Sequence, residues 1–389
     1  MRNTSRTILT LLLCALLLAA SVGCNWFESG NQDTRTERER TERSRDPVDT
    51  TPDNDNRDDR QTERPGISEP VDLSNYGQIA ISYIEHMSEN LYDRFPFSYR
   101  EKETALWIVD ELIGMGYSPD DIEVQEFHHT AVRRWLWGTW EDTMRWQFAG
   151  GGDYLEYSQN VILTVPGRVE STIIVGAHYD SLLYPGASDN ASGSALILES
   201  AARMIDQDNY HTIVYVFFGA EEIGLLGAFY YYESLTRQQR NNIVFMVNSD
   251  VLLEGDYVVY GVGHLAAGQM ATNDLSRQVS AISQGLRDEH EVQISTYLPA
   301  INMSSDQLVF LHNGHTVVFF VGVHLHPRGS PYNGIHLADY GDYIMTGRVF
   351  HSNEDSYAYI SETWPEMLEE NMWIFSVFLE QMLLTKYIL

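Results

Sequence analysis

An apolar run from Val214 to Phe218 is followed, after Gly219 and Ala220, by two adjacent acids, Glu221 and Glu222. A buried strand that delivers two unpaired carboxylates to the interior is costly unless something cationic meets them. A metal ion is the simplest such partner. The same construction recurs upstream: the apolar run Ser171 to Ala177 ends in His178-Tyr-Asp180 and is followed by Ser188-Asp189-Asn190-Ala-Ser-Gly193. Two strands thus bring imidazole and carboxylate donors to one edge, and the fold must be one in which strand ends converge.

The surrounding periodicity says which fold that is. Tyr76 to Leu91 and Tyr99 to Met115 repeat as helices, and Ile122 to Phe127 alternates as a strand. Strands are then expected at Asn160 to Val165, Ser171 to Ala177, His211 to Phe218, Ile243 to Asn248 and Tyr257 to Tyr260. Helical patterns at Ser192 to Ile205, Leu225 to Thr236, Asp274 to Arg287 and Pro365 to Leu384 separate or follow them. Strands alternating with helices imply crossover connections. The expected class is α/β: a three-layer sandwich, with a mostly parallel mixed sheet and helices on both faces. In such sheets ligands collect beyond the carboxyl ends of strands, which is where His178, Glu221, Glu222 and Asp250 fall. A Trp-rich segment, Trp135 to Phe148, reads as a hairpin packed on the core, with a specificity pocket as the alternative.

The chain starts with two arginines in Met1 to Arg6 and an apolar stretch, Thr7 to Ala20, the pattern of a secretory signal and too short for a comfortable membrane span. It ends in Ser21-Val22-Gly23-Cys24, which resembles the bacterial lipoprotein processing box, where cleavage leaves a cysteine to be acylated. The expectation is a signal peptide over 1–23 and a lipid on Cys24. The protein is then exported and held at a membrane, periplasmic or at the cell surface, through that lipid only. The alternative is an ordinary signal with an incidental cysteine. Cys14 and Cys24 are the two cysteines, so cleavage leaves no disulfide and the core alone must hold the fold. Residues 24–72 are polar and densely charged without apolar periodicity, a solvated tether, which leaves 73–389 as the folded domain.

The charge of −30 is carried mainly by that domain, where 41 acidic residues face 15 basic ones and Lys102 and Lys386 are the two lysines of the chain. Such a surface excludes nucleic acid and anionic lipid as natural partners. It fits salty surroundings, where screening relieves self-repulsion.

Taken together, His178, Asp189, Glu222, Asp250 and a late histidine form a set that few structures other than a metal site require. The late ligand has two contenders, the Val323-His324-Leu325-His326 stretch and Phe350-His351-Ser-Asn-Glu-Asp355. A mixed imidazole and carboxylate set suits zinc. At this point the chain from residue 73 onward resembles the co-catalytic di-zinc exopeptidase family, which includes bacterial aminopeptidases, glutamate carboxypeptidase-like proteins and glutaminyl cyclases. The matching stretches are Gly176 to Ser181, Gly186 to Gly193, Phe218 to Gly227, Asn248 to Asp250, Ser305-Asp306 and His351 to Asp355.

The resemblance selects His351 as the last ligand and implies two Zn2+ bridged by Asp189. His178 and Asp250 would complete one ion, Glu222 and His351 the other. Glu221 would be the general base acting on a metal-bridged hydroxide, with Asp180 behind His178 and Asp355 beside His351. The activity implied is removal of amino-terminal residues from peptides. The alternatives are a glutaminyl cyclase, a carboxypeptidase of the same family, or a binding module that has lost catalysis. Phe350 and Ser352 depart from the tyrosine and threonine that many members carry around the last histidine. Gln307 stands where a histidine often follows Ser-Asp, which leaves Asp306 a lesser candidate.

Overall fold

The computed structural model describes residues 75–128, 155–255, 257–325, 335–336, 349 and 351–388. The signal segment 1–23, Cys24, the tether 24–72, the Trp135 to Phe148 segment, His326 and Phe350 lie outside the described residues, as does the side chain of His324.

The strands are β1 (Ile122–His128), β2 (Tyr157–Val165), β3 (Val169–His178), β4 (His211–Phe218), β5 (Ile243–Ser249), β6 (Tyr257–Ala266), β7 (Gln269–Ala271), β8 (Ile294–Thr296), β9 (Val317–Leu325) and β10 (Ile335–His336). They form one mixed sheet in the order β1-β2-β4-β3-β5-β9-β6-β7, with β8 on β6 and β10 on β9. The helices are α1 (Gln78–Glu89), α2 (Tyr99–Met115), α3 (Ser192–Met204), α4 (Leu226–Ser234), α5 (Arg237–Asn242), α6 (Asp274–His290), α7 (Gln307–His312), α8 (Tyr357–Thr363) and α9 (Pro365–Leu384). None of the described helices is long and apolar enough to cross a membrane.

Parallel pairing occupies the middle of the sheet, joining β4, β3, β5 and β9. Around it, β1 and β2 run antiparallel on one side and β6 runs antiparallel to β9 on the other. Successive side chains of a strand point to opposite faces, and the core divides accordingly. Val161, Ile173, Val175, Tyr215, Phe217, Phe245 and Val247 pack with α1, α2, α3, α6 and α9. Ile162, Ile174, Val216, Phe218 and Met246 pack with α4 and α7. Helices therefore cover both faces of the sheet. The parallel strands, buried on both sides, read in sequence as nearly unbroken apolar runs.

Local signals set the helix ends. Ser98 caps α2 through the amide of Glu101, and Gly116 closes it at φ 111°. Pro365 opens α9 in the first turn, where a missing N–H costs nothing. The central strand β9 is the main addition to the sequence reading, which treats its last residues only as an extended piece. Val317 to Val323 is a short apolar run without alternation, and periodicity alone does not distinguish a central strand from a buried helical turn there.

Candidate metal centre

Register brings the candidate residues together. His178 pairs with Phe218 across β3 and β4, and Gly176 pairs with Asn248 across β3 and β5. Glu221 and Glu222 lie just past the end of β4 and Asp250 just past β5, so these residues flank His178. Asp189 comes from the turn Ala187–Ala191 that leads into α3, and His351 from the turn before α8. His178 Nε2 lies 3.2 Å from Asp250 Oδ1 and 3.3 Å from Asp189 Oδ1. His351 Nε2 lies 2.9 Å from Asp189 Oδ2 and 3.7 Å from Glu222 Oε2. The two oxygens of Asp189 thus serve two different histidines.

The donors fit metal ions. Two groups, His178 with Asp189 and Asp250, and Asp189 with Glu222 and His351, each offer ligand atoms within 4.8 Å of one another. Bond lengths of about 2.0–2.2 Å at tetrahedral angles set donors roughly 3.3–3.5 Å apart, close to the spacing seen. Glu222 Oε1 is buried without a hydrogen-bond partner, the state a coordinating oxygen takes when its cation is left out of account. His178 is 1% exposed and His351 is 29% exposed, so the His351 side is the one that faces solvent.

Buried polar side chains hold the loops that carry these donors. Asp180 accepts the backbone N–H groups of both Glu221 and Glu222, at 3.0 and 3.1 Å. Its backbone carbonyl lies 3.1 Å from His178 Nδ1, which leaves Nε2 for Asp189 and Asp250. Asp355, expected from sequence to serve His351, hydrogen-bonds the amides of Ser188 and Asp189 at 2.6 and 3.1 Å, and so also fixes the Asp189 turn. Asn190 donates to Ser249 O and accepts from the Gly193 amide, both at 2.9 Å, tying the first turn of α3 to the end of β5. Gly193 is required there, since a Cβ would stand 2.2 Å from Ser249 O.

Two further buried ionisable side chains belong to this scaffold and lie outside the sequence reading. Glu101 of α2 is fully buried and accepts from Ala220 N, Ser158 Oγ and Phe97 N. It thereby holds Ala220, at φ 54°, immediately before Glu221. Arg94 is also fully buried, and its guanidinium donates only to backbone carbonyls among the described residues. Most of their partners are main-chain atoms and several are remote in sequence, such as Ala220, Tyr179, Pro185 and Gly186, so no motif marks them. Asp306 and Glu254 are buried as well, with carboxylate oxygens lacking hydrogen-bond partners.

So many acids in one place shift one another. Burial raises the carboxyls of Glu221 and Glu222, and neighbouring acids raise them further. Burial, with Asp189 nearby, pushes Asp355 up to about 7. Asp189 behaves oppositely: burial works against its charge, but hydrogen bonds from His178 and His351 hold it below the ordinary carboxylate range. Burial also opposes the charge of His178, yet Asp250, Glu221 and Asp180 raise it. Burial likewise opposes the charge of His351, and nearby acids, led by Asp189, raise its pKa.

A parallel-centred α/β sandwich with an Asp189-bridged donor set defines the class to which the chain is assigned. The chain belongs to peptidase family M28, whose model matches residues 160–376. Leucine aminopeptidase 1 of Penicillium rubens is 27% identical over 249 residues, covering 59% of this chain and 54% of that protein. A probable leucine aminopeptidase of Trichophyton verrucosum is 38% identical over 109 residues, covering 24% of this chain and 28% of that one. The chain therefore spans about half or less of these relatives' lengths. Among solved structures, a zinc aminopeptidase from Bacillus subtilis superposes with a TM-score of 0.59 at 17% identity, covering 81% of this chain and 97% of that one. A glutaminyl cyclase from an Acidobacteriales bacterium gives 0.55 at 18% identity, with the same coverage of both chains. These likenesses establish a shared fold.

Proposed function

We propose that this protein is a zinc-dependent aminopeptidase that removes residues from the amino termini of peptides. The observation that carries the reading is the division of Asp189 between His178 and His351, with Glu222 and Asp250 completing two donor groups and Glu221 outside both. Membership of a peptidase family and the names of the leucine aminopeptidase relatives support it. His178, Asp189 and Asp250 would hold one ion and Asp189, Glu222 and His351 a second. Bound there, zinc would polarise the scissile carbonyl and acidify the attacking water.

The chain's own residues supply the rest. Glu221 accepts the proton of the attacking water and returns it to the leaving amine, the work of a general base followed by a general acid. Asp180 holds the backbone of Glu221 and Glu222 together, so base and ligand keep a fixed relation. The surrounding acids favour the free ammonium of a peptide's first residue. Export and acylation of Cys24 belong to the same proposal and rest on residues 1–24 alone; failure of a labelled fatty acid to appear on the full chain, or its persistence in Cys24→Ala, removes that part.

The deciding experiment incubates the zinc-loaded protein with peptides bearing free, acetylated and glutamine amino termini and reads the products by mass. Stepwise loss of residues from free amino termini is expected, with acetylated peptides untouched. Trimming from the carboxyl end, or loss of ammonia from the glutamine peptides at constant length, replaces the reading with a carboxypeptidase or a cyclase.

A further inference from the structure

Arg94 follows α1 and is 0% exposed, yet no carboxylate among the described residues pairs with it. Its guanidinium donates to the carbonyls of Met87 and Leu91 at 3.0 and 3.4 Å, Tyr179 at 2.7 Å, Pro185 at 2.9 Å and Gly186 at 2.8 Å. Burying a cation is expensive and is tolerated when its donors are satisfied. Here they are satisfied by main-chain carbonyls, and three of the five, on Tyr179, Pro185 and Gly186, belong to one segment. Tyr179 lies between His178 and Asp180, and Pro185 and Gly186 lead directly into the turn of Asp189.

The backbone of Arg94 reinforces the link. Its N–H donates to Ser181 Oγ at 3.2 Å and its carbonyl accepts from Ser181 N at 3.2 Å. The fit at Gly186 is close: a Cβ there would stand 2.8 Å from Arg94 Nη2 and 2.6 Å from Asp189 O. The segment from His178 to Asp189 joins those two donors covalently, and Arg94 clamps it near both ends, at Tyr179 and at Pro185 and Gly186. We infer that Arg94 is a positioning residue of the metal centre, setting the separation of His178 and Asp189 by clamping the main chain between them.

The inference rests on the metal reading above, and the sign of its effect separates it from simple electrostatics. A fixed cation near a site repels a divalent ion, so if charge were all that mattered, removing Arg94 would tighten zinc binding. If positioning dominates, removal loosens it, by about 10–100-fold for a group that orients ligands.

The test strips the full chain with chelator and measures zinc affinity by competition with an indicator dye, for wild type, Arg94→Met, Arg94→Lys and Arg203→Met. Arg203 pairs with Glu199 at 2.9 Å and lies over the Tyr76 ring, toward the far end of α3 from Asp189, and its loss measures general destabilisation. Weaker zinc binding is expected for Arg94→Met and also for Arg94→Lys, which keeps the charge but loses the planar fork. Arg203→Met should lower the thermal midpoint while leaving zinc affinity unchanged. Should Arg94→Met fail to fold, Arg94→Lys carries the same comparison. Unchanged or tighter binding in the Arg94 variants, or equal weakening in Arg203→Met, overturns the inference alone. A wild-type chain that binds no zinc overturns the metal centre and the inference with it.

Discussion

Glu221 and Glu222 are neighbours in sequence and differ in what they face. Glu222 is one of the donors grouped with Asp189 and His351, whereas Glu221 belongs to neither donor group. Replacing Glu221 by Gln keeps the shape and removes the proton acceptor, so zinc content should stay at the wild-type level while turnover falls about 10²–10⁴-fold, the range for a lost general base. Metal analysis together with peptide hydrolysis checks both halves, and undiminished turnover would remove Glu221 from the mechanism. Gly193 offers a second test at this scale. A methyl group there would stand 2.2 Å from Ser249 O and 2.5 Å from the side-chain oxygen of Asn190, so Gly193→Ala should cost about 1–3 kcal/mol of stability, read by denaturant unfolding. It should also weaken zinc binding, because Asp189 and Asp250 sit on the two segments forced apart. His178, Glu222 and Asp250 were legible in the sequence because each follows an apolar run with a residue that burial would penalise, whereas His351 was chosen by the family resemblance. Arg94 and Glu101 were not legible, since what gives them meaning is a set of carbonyls and amides brought close only by folding.

The elements show the same division between local and long-range information. α2, β4 and α9 could be placed from sequence because caps, periodicity and a leading proline all lie within the segment. β9 could not, because its place between β5 and β6 is set by pairing with strands some 60 residues away and its own residues carry no alternation. One contact between elements predicts a response to pH. His211 begins β4, receives the Tyr387 amide on Nε2 at 3.2 Å and lies 2.7 Å from Ser171 Oγ through Nδ1. Burial lowers its pKa from the ordinary value. A histidine whose folded pKa is depressed contributes stability that is complete above the unfolded value of about 6.5 and is lost as pH falls through the folded value. Once protonated, Nε2 can no longer accept from Tyr387, and the segment after α9 loosens. Hydrogen exchange should therefore show the protection factor of the Tyr387 amide dropping as pH falls below the unfolded value of about 6.5. In His211→Gln that pH dependence should vanish; a protection factor that is flat with pH in the wild type would refute the latch.

At the scale of the whole molecule the charge imbalance, 41 acidic against 15 basic residues in positions 73–389, has two separable consequences. Part of it is internal: Asp180, Asp189, Glu254, Asp306 and Asp355 are buried around the candidate metal centre, where the proposed zinc, not salt, would supply the opposing charge. Many of the other described acids are exposed, where like charges repel through water and the folded state concentrates them more than the unfolded chain does. Added salt shortens the reach of that repulsion from about 10 Å at 0.1 M to about 3 Å at 1 M, so it should stabilise the fold without touching the buried group. The two parts can be told apart by heating the zinc-loaded and chelator-stripped protein across a potassium chloride series. Both forms should gain thermal midpoint with salt, by similar amounts, while the stripped form stays lower throughout. Choosing potassium chloride over sulfate matters, because sulfate strengthens apolar burial in any protein and would mimic the effect. A midpoint that falls or stays level as chloride rises to 1 M would mean that the surface acids are paired or spaced well enough not to repel, and would withdraw the expectation of a saline working environment.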